Sequence, residues 1–358
     1  MPNIFPFLFV IVIVVFLHEL GHYLAARSLG IKVTHFYLFF NPWFSLFKKN
    51  INETEYGIGW LPFGGYVKVA GMLDEDVDPS GIDVPRENQF RYQPLWGKIW
   101  FLSAGIIMNF LLAALIFSGI YFLNGITELV DKPVISNIKI IKEKSAASKL
   151  GLKPGDEIIE IDGKTINTWS DLSSSIRTKP NEIISVKWYH NNQIKTGTVK
   201  TDTTTRVFNN KTVLIGILGI QPNEIYYELN FFESLFKGFE QTKILIIELS
   251  FGIYSLITGG VALDNLVGPI GIGQTANDFA KLGLSMYFSF IAILSVNLGI
   301  LNLLPIPVFD GGQIVIACIE SLIGRELSIN IRSIVALITW ALMIYLMIFI
   351  MINDISKL

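Results

Sequence analysis

The chain has 358 residues, of which 51% are hydrophobic, 13% aromatic and only 16% charged, with a mean hydropathy of +0.50. That composition excludes an ordinary soluble enzyme of two or three domains and belongs to the membrane class. The net charge of −2 comes without any basic run, which points away from nucleic acid. The single Cys318 rules out an intrachain disulfide, so any part facing an oxidising compartment holds together by packing alone.

The first predicted element is a spanning helix over about residues 4–29. Residues 4–17 (IFPFLFVIVIVVFL) are unbroken apolar sequence, with no Lys or Arg before Arg27 and no small-residue cleavage site, unlike a signal peptide. Continued to about Leu29, the helix is long enough to cross a bilayer and is retained. The run leads straight into His18-Glu19-Leu20-Gly21-His22. Histidines four residues apart share one helix face, where both imidazoles can ligate one metal ion, and the intervening glutamate can act on water as a general base. Only four histidines occur in the chain, which makes the pattern improbable by chance. The bland alternative, packed core histidines with Glu19 as their partner, would bury charge without a task, and that is costly.

Residues 55–71 (EYGIGWLPFGGYVKVAG) alternate and then turn at Pro62-Phe63-Gly64-Gly65, which predicts a hairpin. It is either a plain surface hairpin or a sheet edge able to pair with an extended substrate strand. The acidic residues Asp74, Glu75, Asp76 and Asp78 follow, then a second span over about 97–124. Residues 127–205 change texture to polar and strand-rich. Within them SAASKLGLKPGDEIIEIDGKTINTWSDL, with its helix start, Gly-Leu-Lys-Pro-Gly-Asp turn, strand and Asp-Gly turn, resembles a PDZ domain of bacterial envelope proteases. Residues 206–230 are too few for a second copy. The apolar stretch 244–263 is interrupted by Glu248, Gly252 and Gly259-Gly260, which suits an interfacial or re-entrant segment. A third span covers about 285–304 and ends at Pro305 and Pro307; a fourth covers about 333–352.

Short-loop cations orient these spans. Arg27, Lys32, Lys48, Lys49, Lys68, Arg86, Arg91 and Lys98 lie between spans one and two, and Arg325 and Arg332 follow span three. Those loops therefore face the cytoplasm and the 125–284 segment faces outward. Spans one and three then run in the same direction. Two histidines leave a catalytic metal one protein ligand short. His35 and His190 sit in isolated loop contexts, whereas Asp310 follows span three in NLLPIPVFDGGQ, where a carboxylate is expensive unless it faces a metal or a polar partner. Asp310 is the candidate third ligand.

HELGH in the first span with NLLPIPVFDGG in the third resembles the site-2 protease family of intramembrane zinc metalloproteases, nearest to the bacterial regulator-of-sigma-E branch. PFGGYVK, FRYQPLWGKIWFLSAGIIMN, the PDZ passage and NLVGPIGIGQTA extend the resemblance over most of the chain. It implies Zn2+ held by His18, His22 and Asp310, Glu19 as catalytic base, and Asn302 contacting substrate with Pro305 beside it. Asn302 also has a plain reading as an interhelical hydrogen-bonding residue, and the PDZ groove as a scaffold without a peptide. Asn109 and Arg27 read as structural or interfacial. Three features depart from the family: Phe309 replaces the usual leucine before Asp310, the segment FYLFFNPWFSLF lacks the glycine-rich element of relatives, and one PDZ copy stands where some relatives have two.

The implied fold is a polytopic α-helical membrane protein with about four transmembrane helices, a cytoplasmic-side β-hairpin and an inserted PDZ domain (α+β). Its parts are residues 1–124, with two spans and HELGH; 125–205, the extracytoplasmic PDZ domain; 206–284, linker and membrane-proximal interfacial segment; and 285–358, the last two spans. The implied substrates are single-span membrane proteins in the cell inner membrane, of anti-sigma factor type or signal peptide remnants, with membrane lipid as surroundings and no nucleic acid. A metal-cation transporter through His18, His22 and Asp310, or a non-catalytic PDZ envelope-stress sensor, are the rivals. The Glu19 between the histidines and the helix break from Pro305 to Gly312 favour catalysis over the first, and the intact residue set disfavours the second.

Overall fold

A computed structural model describes residues 4–72, 84–138, 145–208, 211–262, 264 and 266–356, so the acidic cluster from Asp74 to Asp78 lies outside the described residues. Two compact units result: Met1–Phe122 together with Phe231–Leu358, and Leu123–Asn230.

In the first unit, α1 (Ile4–Ser28) carries Pro6 in its opening turn, where the missing N–H has no intrahelical partner anyway. Strands β1 (Val33–Ile51) and β2 (Thr54–Val69) follow, joined at Asn52 and Glu53, both at positive φ as a tight two-residue hairpin turn requires. This corrects the expected hairpin. Residues 33–38 pair with 65–69 (Leu38 with Gly65, Val33 with Val69) and also with 55–58 (His35 with Glu55, Leu38 with Ile58). The two arms flanking Pro62–Gly65 therefore sit on opposite edges of 33–38 and do not pair with each other. The chain does turn there, at Gly64 with φ +95°, but an alternation pattern says which face a residue takes and not which strand it joins. β1 reverses between Phe39 and Trp43, both at positive φ, and Trp43 and Phe44 stack on Trp60 with centroids 6.1 and 5.7 Å apart. Helix α2 (Leu95–Asn124) completes this half.

The second unit opens with β3 (Ile126–Leu129), β4 (Ile135–Ile138) and α3 (Ala146–Leu150), the helix capped by Ser145 and closed by left-handed Gly151. Then come β5 (Glu157–Ile161), β6 (Lys164–Thr165), α4 (Trp169–Arg177), β7 (Ile183–His190) and β8 (Gln193–Lys200). A capping box of Thr168 and Asp171 starts α4. The four-stranded sheet runs β6-β5-β7-β8, and Ile158, Ile161, Leu172, Ile184, Val186 and Trp188 fill its core. Residues 206–230, expected as linker, belong to this unit. β9 (Asp202–Phe208) pairs with β10 (Lys211–Ile217), while β11 (Ile220–Pro222) and β12 (Glu224–Tyr227) return to pair with β4 and β3. Leu218 enters the core at 1% exposure. Strands of three and four residues carry too little pattern to be read in advance.

Back in the first unit, α5 (Phe231–Ile257) passes unbroken through Glu248 and Gly252 and stops before Gly259, so the interruptions expected within 244–257 do not form. Within its buried stripe Ser234, Gly238, Thr242 and Leu245, Gly238 lies against Ala114 and Ser118 of α2, and Ser118 donates to the Leu235 carbonyl at 3.4 Å. Helices α6 (Pro269–Lys281), α7 (Leu284–Leu303), α8 (Asp310–Ile323) and α9 (Ile329–Ser356) follow. The Asp354 carboxylate of α9 accepts the Gly268 and Gly271 N–H groups at 3.0 Å each, fixing the start of α6. Among the described residues, four helices are long and apolar enough to cross a membrane: Ile4–Ser28, Leu95–Asn124, Leu284–Leu303 and Asn330–Ser356. They match the expected spans to within a few residues.

Tyr287 donates to the Pro6 carbonyl at 2.6 Å and Asn302 lies beside His18, so α1 and α7 run the same way. α2 runs against them, with Phe101 at His22, Asn109 at His18, and Leu112 and Ile116 in the cluster around Val10 and Val14.

Candidate metal centre

The α1 face made by Val10, Val14, His18, His22 and Ala25 is buried, because every three or four residues it turns toward α2 and α7. His18 and His22 are 7% and 6% exposed, with Nε2 atoms 3.3 Å apart. Asp310 reaches them from a different route. Pro305 and Pro307 cannot continue α7, the chain turns through Ile306–Phe309, and α8 begins at Asp310. Its Oδ2 lies 3.4 Å from His18 Nε2 and 3.3 Å from His22 Nε2.

These separations are longer than charge-assisted hydrogen bonds of about 2.7–2.9 Å. They match the roughly 3.3 Å between donors that metal bonds of about 2.0–2.1 Å produce in a tetrahedron. Asp310 Oδ2 is buried with no hydrogen-bond partner, and the three ligand atoms lie within 4.8 Å of one another. Two neutral imidazoles and one carboxylate are a donor set that zinc accepts, with a fourth position left for water or substrate.

Glu19 is 7% exposed on the same helix turn. Its stem lies against β2: a β-carbon on Gly65 would come within 2.9 Å of Glu19 Cγ and 2.7 Å of the Tyr37 carbonyl oxygen. The sheet thus passes directly over the candidate base. The Asn302 amide nitrogen, in the last turn of α7, stands 3.4 Å from His18 Nε2. Pro305 is exposed in the α7–α8 connection. His35 and His190 stay outside the site, held by Thr34 at 3.0 Å and Asp156 at 2.6 Å.

Three α2 groups, one turn apart, back the histidines. The Phe101 carbonyl meets His22 Nδ1 at 2.9 Å, Gly105 faces both rings, and the fully buried Asn109 amide meets His18 Nδ1 at 3.2 Å. Sequence reasoning left these out of the site. The one signal available was a polar Asn109 inside an apolar span, four residues from a glycine.

The sequence matches the model of peptidase family M50 over residues 6–346. It is 34% identical to an Agrobacterium fabrum protein named "Putative zinc metalloprotease Atu1380", covering 99% of this chain and 96% of that one. It is 31% identical to zinc metalloprotease RasP of Geobacillus kaustophilus, covering 100% and 98%. Among solved structures, the PDZ domain of an SdrC-like protein from Listeria monocytogenes aligns with 26% of this chain and 90% of its own, at 19% identity and a TM-score of 0.21. A chain that carries HELGH and the Asp310 segment in one buried cluster, and matches the family model almost end to end, belongs to peptidase family M50, the site-2 proteases, and is a protease.

Proposed function

We propose that this chain is an intramembrane zinc endopeptidase that cuts the membrane-spanning segments of single-span proteins, in the cell inner membrane. The observation that carries the reading is the convergence of His18 Nε2, His22 Nε2 and Asp310 Oδ2, with Glu19 buried on the same turn. His18, His22 and Asp310 would hold the zinc, which when bound supplies the Lewis acidity that makes water a nucleophile near neutral pH. Glu19 takes the proton of the attacking water and returns it to the leaving amine. The Asn302 amide donates a hydrogen bond to the scissile carbonyl oxygen as negative charge develops there.

A helical substrate hides its carbonyls in its own hydrogen bonds, so it must unwind before attack. Residues 65–69 pair with 33–38 and pass beside Glu19, which supports their use as an edge for the unwound strand. The cations at the α1 exit and the α2 entry favour a cytoplasmic location for the centre and an outward one for Leu123–Asn230, the PDZ-like unit. Single-span anti-sigma factors and remnant signal peptides both fit such a site.

The test is cleavage of two purified single-span substrates, one of each type, by the detergent-solubilised full chain. Wild type should cut at least one inside or at the cytoplasmic edge of its span, and E19Q should cut neither. Equal cleavage by E19Q would overturn the mechanism.

A further inference from the structure

We propose that Asn109 is a positioning residue of the metal centre: its side-chain carbonyl accepts a hydrogen bond from His18 Nδ1–H and so selects the tautomer whose Nε2 is free to bind metal. The inference rests on the reading of His18, His22 and Asp310 as ligands. Both histidines aim Nε2 at Asp310. An imidazole that ligates through Nε2 in its neutral form carries its proton on Nδ1, and that proton needs an acceptor. For His22 the acceptor is the Phe101 carbonyl, 2.9 Å away.

For His18 the polar group at Nδ1 is the Asn109 amide, 3.2 Å away. Asn109 is 0% exposed, and its Oδ1 has no hydrogen-bond partner while Nδ2 faces the ring. The two ends of a carboxamide have the same shape, so their assignment follows from the hydrogen bonding and not from packing. With Nδ2 donating to Nδ1, the ring proton would sit on Nε2 and point at Asp310, and His18 could not bind metal there. Turning the amide over places Oδ1 at Nδ1–H, pairs the orphaned acceptor and frees Nε2.

The rest of the residue is already anchored. The Asn109 main-chain carbonyl accepts from Ser295 Oγ of α7 at 2.8 Å, and both residues are fully buried. A buried amide in an apolar helix is costly unless it is paired. The pairing with His18 supplies the reason for this one, and it gives the two histidines matching supports from a single face of α2.

The test is zinc affinity of the full chain in detergent, measured by chelator competition for wild type, H22A, N109L and N109D, with the melting temperature of each metal-free protein. Support of this kind is worth about 10–100-fold in metal affinity. N109L should therefore bind zinc about 10–100-fold more weakly, with a metal-free melting temperature close to wild type. N109D, which keeps an acceptor and has no donor, should bind within about threefold of wild type or more tightly. Wild-type affinity in N109L, or a tenfold loss in N109D, overturns the role of Asn109 alone. If N109L does not fold, N109D decides by the same limits. Failure of wild type to bind zinc, or binding by H22A as tight as wild type, overturns the metal centre and this inference with it.

Discussion

A β-carbon on Gly105 would lie 2.4 Å from His22 Nε2, and 2.7 and 2.8 Å from His18 Cε1 and Nδ1. The α2 backbone thus presses against both imidazoles, and only a residue without a side chain leaves them room. G105A should push the rings out of register with Asp310. Its zinc affinity and cleavage rate should each fall at least tenfold, with a stability loss of about 1–3 kcal/mol from overpacking. Wild-type zinc binding by G105A would show that the rings can shift without cost.

Zinc retention and chemistry should separate cleanly. H22A and D310A should lose most bound zinc, because a three-ligand site does not close with two. E19Q should keep its zinc and lose cleavage by a factor of about 10²–10⁴, the usual range for a general base. Elemental analysis beside a cleavage assay reads both. Full zinc occupancy in D310A would remove Asp310 from the ligand set. Chelation should abolish wild-type activity, and added zinc should restore it.

Substrate choice should follow helix stability. His18 lies about fourteen residues into α1, roughly 20 Å along it at about 1.5 Å per residue, which in the proposed orientation is nearer the inner face. Bonds at that depth become reachable when the substrate helix opens, and Gly or Pro near the scissile bond lowers the cost. Replacing such residues by leucines should slow cleavage without abolishing binding. An all-leucine span cut as fast as the native one, or a cut mapped by mass spectrometry to the outer part of the span, would contradict this geometry.

The boundary of the second unit is open to a direct test. A fragment of residues 123–230 should express as a folded monomer, whereas 127–205 lacks Leu218, β11 and β12 and should be markedly less stable. Burial of Leu218 alone is worth about 1.5–3 kcal/mol. Urea unfolding of the two fragments compares them, and equal midpoints would restore the shorter boundary.

Within that unit, partial burial pushes the Asp162 carboxyl up, but the Lys179 ammonium and the Ser185 N–H at 2.6 Å more than reverse it and hold it below the ordinary carboxylate range. A carboxyl with a lowered folded pKa adds stability above its unfolded pKa of about 3.9 and loses it as pH falls through the folded value. Unfolding midpoints of the 123–230 fragment should therefore decline below about pH 4, and less steeply in D162N. Identical pH profiles would assign the decline to other groups.

The two halves of the candidate metal centre, which the fold brings together, are legible in the sequence for different reasons. His18, Glu19 and His22 are joined by one helix, so their spacing already states their geometry. Asp310 was legible because a carboxylate after a proline break in a span is costly enough to demand a partner. The four long apolar helices announce their length through unbroken apolar runs. The supporting contacts belong to the tertiary structure. Gly105, Asn109 and the Phe101 carbonyl act through surfaces on α2 that meet α1 only after packing, and a glycine or a main-chain oxygen carries no chemical label in sequence. Strand pairing was undetermined for the same reason. Alternation at 55–71 fixes the two faces of the strand, but residues 33–38 come between the arms because pairing is a choice of neighbour, made by contacts distant in the chain.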